Sequence, residues 1–208
     1  MFDFSLMSIV AGLPGLIIAM VVHEYAHAQV AVWLGDFTPR LMGRLTLNPK
    51  AHIDPIGMLM LFLVHFGWAK PVQINPRNFK NPSRDDILVS LAGPAANFLT
   101  AFLALAALLA YSRMGGDMTR GVYVVFQMII EFNIGFGIFN LIPLPPLDGS
   151  HVLMQLLPRD LAYKLAGLER YSFLILIVLL MTPVLSMILI PCRALVWQIF
   201  TLLLSPFL

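Results

Sequence analysis

LPGLIIAMVVHEYAHAQVAVWL, residues 13–34, is apolar enough to cross a bilayer, yet it carries His23-Glu24-Tyr25-Ala26-His27 at its centre. Two imidazoles and a carboxylate are costly in hydrocarbon unless they bind something or face a polar cavity. On a helix, residues four apart lie one turn plus about 40° round and about 6 Å along the axis. Both rings can therefore face one ion, and Glu24 reaches the same place from the side. On a solvated surface helix such a run needs no ligand. In a segment without water, either a metal or a buried polar network must satisfy the imidazole nitrogens, and the spacing favours the metal. The stretch thus places the chain in a membrane and a divalent cation within it.

The rest of the composition agrees. A soluble domain has about a quarter charged residues. This chain of 208 residues has 12%, with 59% hydrophobic residues and a mean hydropathy of +0.85. That is an integral membrane protein long enough for several spans. A formal net charge of +2 is too small to argue for nucleic acid. Cys192 is the only cysteine, which excludes an internal disulfide and a cysteine-built metal site; it reads as a small apolar residue of a span. The N-terminus lacks a basic region and runs straight into the first span, so no cleavable signal peptide is expected.

The first apolar segment runs from about Phe4 to Leu34, with Pro14 and Gly15 as a kink or helix start and Asp36 and Pro39 as its end. From Phe37 to Pro49, Leu41, Gly43, Leu45 and Leu47 alternate with polar or basic neighbours, a strand period. Pro55–Phe66 is apolar but too short to span, and reads as a half-buried or re-entrant helix. Gly67–Phe79, with Pro71, Pro76 and alternating Val72 and Ile74, reads as a second extended or hairpin segment. Asn81–Asp86 is a polar connection. Ile87–Leu109 and Val122–Ile142 can each span; the second holds Glu131, Asn133 and Asn140. Pro143, Pro145 and Pro146 then forbid a regular helix, and Ser150–Leu157 is a short one. Phe173–Ile190 is another span, interrupted or kinked at Pro183, and Pro191–Leu208 is a last span or an interfacial segment. The expected fold is an all-α polytopic membrane protein of about five to six transmembrane helices, with re-entrant or short helices and a small cytoplasmic-side β-hairpin or sheet. It forms a single domain over residues 1–208, with a core of about 10–160 and C-terminal membrane segments of about 171–208.

Orientation follows from the basic residues. Arg40, Arg44, Lys50, Lys70, Arg77, Lys80, Arg84, Arg159, Lys164 and Arg170 fall on one side of the spans, and Arg113, Arg120 and Arg193 on the other. The first group marks the cytoplasm, so the N-terminus is outside. His27, Asn97, Asn140 and Asp148, far apart in sequence, then share one depth in the cytoplasmic part of the bilayer.

The His-Glu-x-x-His spacing is that of a zinc-binding protease helix. Catalytic zinc takes three protein ligands and one open position. His23 and His27 give two, and Asp148 is the best third candidate, presented by proline-broken backbone of the kind tolerated at membrane depth only around a cavity. An Asp-Gly turn at the membrane surface is the alternative, and spacing alone leaves both open.

His23-Glu24-Tyr25-Ala26-His27 together with Asn140-Leu141-Ile142-Pro143-Leu144-Pro145-Pro146-Leu147-Asp148-Gly149 resembles the site-2 proteases, the intramembrane zinc metalloproteases. Ser90-Leu91-Ala92-Gly93-Pro94-Ala95-Ala96-Asn97 looks like that family's glycine-proline-asparagine segment, and Asn48–Gly57 like a feature of its short members, which lack PDZ and CBS modules. The resemblance covers about residues 10 to 160. It implies that Asp148 is the third Zn²⁺ ligand, Glu24 the general base, and Asn140 a residue lining the active site. The expected activity is hydrolysis of peptide bonds in transmembrane substrates near the cytoplasmic side of the bilayer, the substrate being a single-span membrane protein or a signal-peptide remnant. Asn140 could donate to the developing oxyanion, and an extended edge in Phe37–Leu47 or Lys70–Ile74 could hold an unwound substrate. Two other readings fit the same polar residues: a metal-binding membrane transporter and a non-catalytic membrane scaffold. An intact Glu24 speaks against the scaffold, and the absence of an internal repeat against the transporter. His52 is expected to bond a carbonyl or cap a helix, Asn97 to bond a ligand helix, and His65 and His151 to lie at the interface, with His151 close to Asp148. Glu131 has no evident cationic partner.

Overall fold

A computed structural model of the chain describes residues 6–64 and 67–205. The first helix, α1 (Leu6–Trp33), is a run of apolar sequence with Pro14 inside it. It stops where Gly35 takes φ 107° and the Asp36 N–H closes on the Ala31 carbonyl at 2.9 Å. A short helical turn follows, α2 (Thr38–Leu41), with Pro39 in its first positions, where the missing N–H has no partner to lose.

The strand expected over Phe37–Leu47 is therefore absent. Pro39 starts a helical turn, and Gly43, at φ 68°, lets the chain reverse so that the Arg44 N–H meets the Pro39 carbonyl at 2.8 Å. Leu41 is 85% exposed and Leu47 59%, so the alternating leucines face outward rather than line a sheet. Among the described residues no strand forms, and the anticipated hairpin reduces to one antiparallel bridge between Ile53 and Ala69. Beside it the Lys70 N–H donates to the His52 carbonyl at 2.8 Å. Residues 69–75 are non-helical, as their prolines suggested.

Helix α3 (Pro55–Val64) is capped by Asp54, whose Oδ1 accepts from the Ile56 and Gly57 N–H groups. At ten residues it covers about 15 Å, half a bilayer. The next long helix, α4 (Pro82–Arg113), absorbs the polar connection read at Asn81–Asp86: Pro82 starts it and Asp85 accepts the Asn81 N–H at 3.0 Å. Then come α5 (Arg120–Asn140), capped by Thr119 through the Val122 N–H, α6 (Asp148–Leu156) and α7 (Arg159–Ala166). The final pair is α8 (Ser172–Met181) and α9 (Val184–Leu204). The chain breaks at Thr182–Pro183, as expected for that proline. Pro191, however, sits inside α9, so the last long helix starts earlier than the sequence suggested.

Four helices among the described residues are long and apolar enough to cross a membrane: Gly12–Trp33 of α1, and α4, α5 and α9. Helices α3 and α8 are too short to do so alone, which leaves four full-length spans among the described residues where about five to six were expected. Helices α1, α4 and α5 pack against one another, α6 lies on α4, and α9 lies on α5. Half of the α1 span is buried inside the protein but only 11% of the α9 span, so α1 is central and α9 peripheral. Ala101, Ile130, Ile134, Ile138 and Phe200 form the main apolar cluster. Leu99, Leu103, Leu195 and Leu202 point outward and are exposed, which suits a protein whose surroundings are hydrocarbon.

Glu131, without a partner by sequence, has one in the fold. Arg193 Nη2 donates to Glu131 Oε1 at 2.8 Å, joining α5 to α9. Arg193 is thus the counter-charge of a largely buried carboxylate within a helix, not one of the loop charges that set orientation. Arg193→Met should leave that carboxylate without its counter-charge and destabilise the protein by about 1–3 kcal/mol, less than the ~3–5 kcal/mol of a fully buried pair because Arg193 is half exposed and Trp197 also bonds Glu131. The readout is the melting temperature in detergent, where the double variant with Glu131→Gln should recover most of the loss.

Candidate metal centre

Helix α1 supplies His23 and His27 on one face, and both side chains are buried. Their orientation is set by the nitrogens that point away from each other. His23 Nδ1 lies 2.7 Å from Asn97 Oδ1 of α4. The amide of Asn97 cannot be turned round, because its Nδ2 donates to the Ala19 carbonyl at 2.8 Å and to Asn133 Oδ1 at 3.0 Å. His23 must therefore carry its proton on Nδ1. Likewise His27 Nδ1 lies 2.7 Å from the Val89 carbonyl, a pure acceptor. Both Nε2 atoms are then lone-pair acceptors, and they face each other at 2.9 Å.

A third acceptor joins them. Asp148, the first residue of α6, brings Oδ2 to 3.1 Å from His23 Nε2 and 3.3 Å from His27 Nε2. This oxygen is buried with no hydrogen-bond donor among the described residues. Three lone pairs converging without a donor repel unless a cation lies among them. Tetrahedral zinc with bonds of about 2.0–2.1 Å has ligand–ligand edges of about 3.3 Å, and the observed triangle matches this to within a few tenths of an ångström. Among the described residues, His23, His27 and Asp148 form a cluster whose ligand atoms are close enough together to hold one metal ion.

Space for the rings comes from Gly93 of α4. A Cβ there would lie 2.5 Å from His23 Cε1 and 2.5 Å from His27 Nε2, closer than side-chain carbons approach anything. The glycine of the Gly-Pro-x-x-Asn run is thus a clearance for the two imidazoles, and the asparagine anchors His23. The aspartate is placed by the docking of α6 on α4. Gln155 donates to Asp86 Oδ2 at 2.9 Å, and His151 Nδ1 lies 3.9 Å from the same oxygen.

Glu24, 8% exposed, faces the same cavity, and its Oε2 accepts the main-chain N–H of Val72 at 2.8 Å. Asn140 also lines it, with one amide N–H given to the Phe136 carbonyl at 3.0 Å. The cavity holds about 720 Å³, and beyond the polar cluster its walls are apolar, among them Met20, Val72, Phe139, Leu147 and Leu176.

The structure brings His23, Glu24, His27, Asn140 and Asp148 to one place, and Asn97 bonds a ligand helix as expected. His52 is fully buried with Nε2 on the Thr46 carbonyl at 2.8 Å, which is the carbonyl-bonding role read from the sequence. His151 does line the cavity, whereas His65 lies outside the described residues. Sequence reasoning missed Asp86 and the Val72 main chain. A buried acidic residue in the first turns of a span was a signal for Asp86; a main-chain donor leaves none in the sequence.

Residues 110–182 match the sequence model of Peptidase family M50. The chain is 38% identical over 201 residues to "Putative zinc metalloprotease YwhC" of Bacillus subtilis (strain 168), an alignment covering 93% of this chain and 92% of that protein. It is 32% identical over 179 residues to "Putative zinc metalloprotease Rip2" of Mycolicibacterium smegmatis, covering 84% of this chain and 68% of that one. The Rip2 protein of Mycobacterium tuberculosis (strain H37Rv) is 29% identical over 180 residues, with the same coverage. No solved structure matches the chain.

Two substitutions test the geometry directly. Gly93→Ala should abolish zinc retention through purification, measured by elemental analysis. Asn97→Leu leaves His23 Nδ1 without its acceptor and should weaken zinc binding by about 10–100-fold, measured by competition with a chromogenic chelator.

Proposed function

Because the chain belongs to Peptidase family M50, the site-2 protease family of membrane zinc metalloproteases, we propose that it hydrolyses peptide bonds of single-span membrane proteins or signal-peptide remnants at the cytoplasmic side of the bilayer. In this reading residues 1–208 form one protease domain, His23, His27 and Asp148 hold Zn²⁺, and Glu24 is the general base. The observation that carries it is the triangle of three acceptor atoms with a second carboxylate, Glu24, beside it and an apolar cavity in front.

Zinc, when bound, supplies Lewis acidity that polarises the scissile carbonyl and acidifies the attacking water. Glu24 takes the proton from that water and delivers it to the leaving amine. Asn140 has its second N–H for the oxyanion, since the first is held by the Phe136 carbonyl. The apolar walls suit the side chains of a membrane segment, and burial of such side chains offsets the cost of unwinding it. An extended substrate could also pair with the non-helical segment at residues 69–75. The Val72 N–H is engaged by Glu24, so pairing falls to exposed Gln73, whose main-chain groups alternate with those of Val72. The lysines and arginines flanking α1, α4 and α7 support a cytoplasmic site with the N-terminus outside.

Glu24→Gln should keep its zinc and lose cleavage of a panel of single-span peptides by about 10²–10⁴-fold. Retained cleavage, or no cleavage of any peptide by the zinc-loaded wild type, would refute the assignment. For orientation, single cysteines replacing Arg77 and Asp117 in a Cys192→Ala background should label with an impermeant maleimide from opposite faces, residue 77 only after the cytoplasmic side is opened.

A further inference from the structure

One hydrogen bond at the cavity joins parts of the chain 48 residues apart: the main-chain N–H of Val72 to Oε2 of Glu24, at 2.8 Å. We infer that this N–H is a positioning group for Glu24, and that Asp36 is the anchor which keeps it in place. The inference rests on Glu24 being the general base.

A glutamate has three rotatable bonds, and fixing them costs about 1–2 kcal/mol of side-chain freedom. A carboxylate that must take a proton and hand it on gains from having one oxygen clamped. With Oε2 held by Val72, Oε1 is the oxygen directed to the reacting water. A main-chain donor suits this task because no rotamer change can move it; only displacement of the whole segment can.

Residues 69–75 are fixed at both ends. Upstream, Ala69 bridges to Ile53 and the Lys70 N–H donates to the His52 carbonyl at 2.8 Å, while the His52 ring is itself tied to the Thr46 carbonyl at 2.8 Å. Downstream, the fully buried carboxylate of Asp36 accepts from the Asn75 N–H at 2.7 Å, Asn78 Nδ2 at 2.7 Å, Thr38 Oγ1 at 2.6 Å and the Thr38 N–H at 3.1 Å. Burial alone would raise its pKa, but these donors outweigh that and hold it below the ordinary carboxylate value. Asp36 hangs from the end of α1, its own N–H bonded to the Ala31 carbonyl at 2.9 Å. Helix α1 therefore carries both the base and the anchor.

The lengths agree. From Glu24 to Ala31 is seven residues of helix, about 10 Å. From Val72 to Asn75 is three residues of extended chain, also about 10 Å. Strung between Glu24 of α1 and Asp36 just past its end, the segment holds the Val72 N–H level with Glu24. Ending α1 needs only Gly35; a buried carboxylate with four donors does more than end a helix, since one of those donors is the last residue of the segment that fixes the base and another, Asn78, lies in the turn that follows it.

The test replaces the Val72 N–H by an oxygen, through the α-hydroxy analogue of valine introduced by nonsense suppression, alongside Val72→Pro and Asp36→Ala. Each is assayed with wild type and Glu24→Gln on one single-span peptide in detergent, with zinc content and melting temperature measured on the same samples. The ester and Val72→Pro should lower kcat about 10–100-fold, with KM within about threefold and zinc unchanged. Asp36→Ala should lower kcat in the same direction. An ester variant with wild-type kcat, beside an inactive Glu24→Gln, overturns the inference and leaves the base assignment standing. An active Glu24→Gln overturns both. A raised KM or lost zinc at unchanged kcat makes the segment a passive cover and also overturns it.

Discussion

Two buried imidazoles can share one ion only if something else holds their far nitrogens. In this protein that constraint falls on α4. Asn97 fixes His23, the Val89 carbonyl fixes His27, and Gly93 clears the space between them. Each bond sets a tautomer, and the two tautomers together turn both Nε2 atoms into acceptors that meet at a point. The remainder of the architecture serves this crossing of α1 and α4. Helix α5 backs it through Asn133 and the Phe136 ring, which packs edge-on to His23 with centroids 5.0 Å apart. Helix α6 completes it by presenting Asp148.

The same crossing explains why the fold can tolerate so thin a periphery. The metal centre lies among α1, α4, α5 and the start of α6, which are mutually packed. Helix α9 lies mainly along α5, where the Glu131–Arg193 pair joins it, and reaches α4 through the packing of Phe200 on Phe102. Helices α2, α3 and α7 carry no part of the polar cluster.

Much of this was legible in the sequence, for a physical reason. Hydrocarbon makes polar residues expensive, so His23, Glu24, His27, Asn97 and Asp148 stand out against their neighbours, and helical spacing says which share a face. The resemblance carried by the Asn140–Gly149 run then raised Asp148 from candidate to expected ligand. Periodicity failed where it was short: an alternation of four apolar positions at Leu41–Leu47 was overruled by Pro39 and Gly43, which favour a helical turn and a reversal. Glu131 was illegible because its partner is on a helix 62 residues away, placed there by packing. The Val72 N–H was beyond reach altogether, since every residue but proline has one and only the path of the chain decides what it meets.

Helix α4 is 32 residues long, about 48 Å against a hydrocarbon slab of about 30 Å. Its first turns hold Arg84, Asp85 and Asp86, and the Val89 carbonyl that orients His27 comes about one turn later. The centre is therefore fixed by a covalent ruler to the charged end of a helix that overshoots the bilayer. In a thin or a thick membrane alike, the imidazole pair therefore keeps its distance from that charged end.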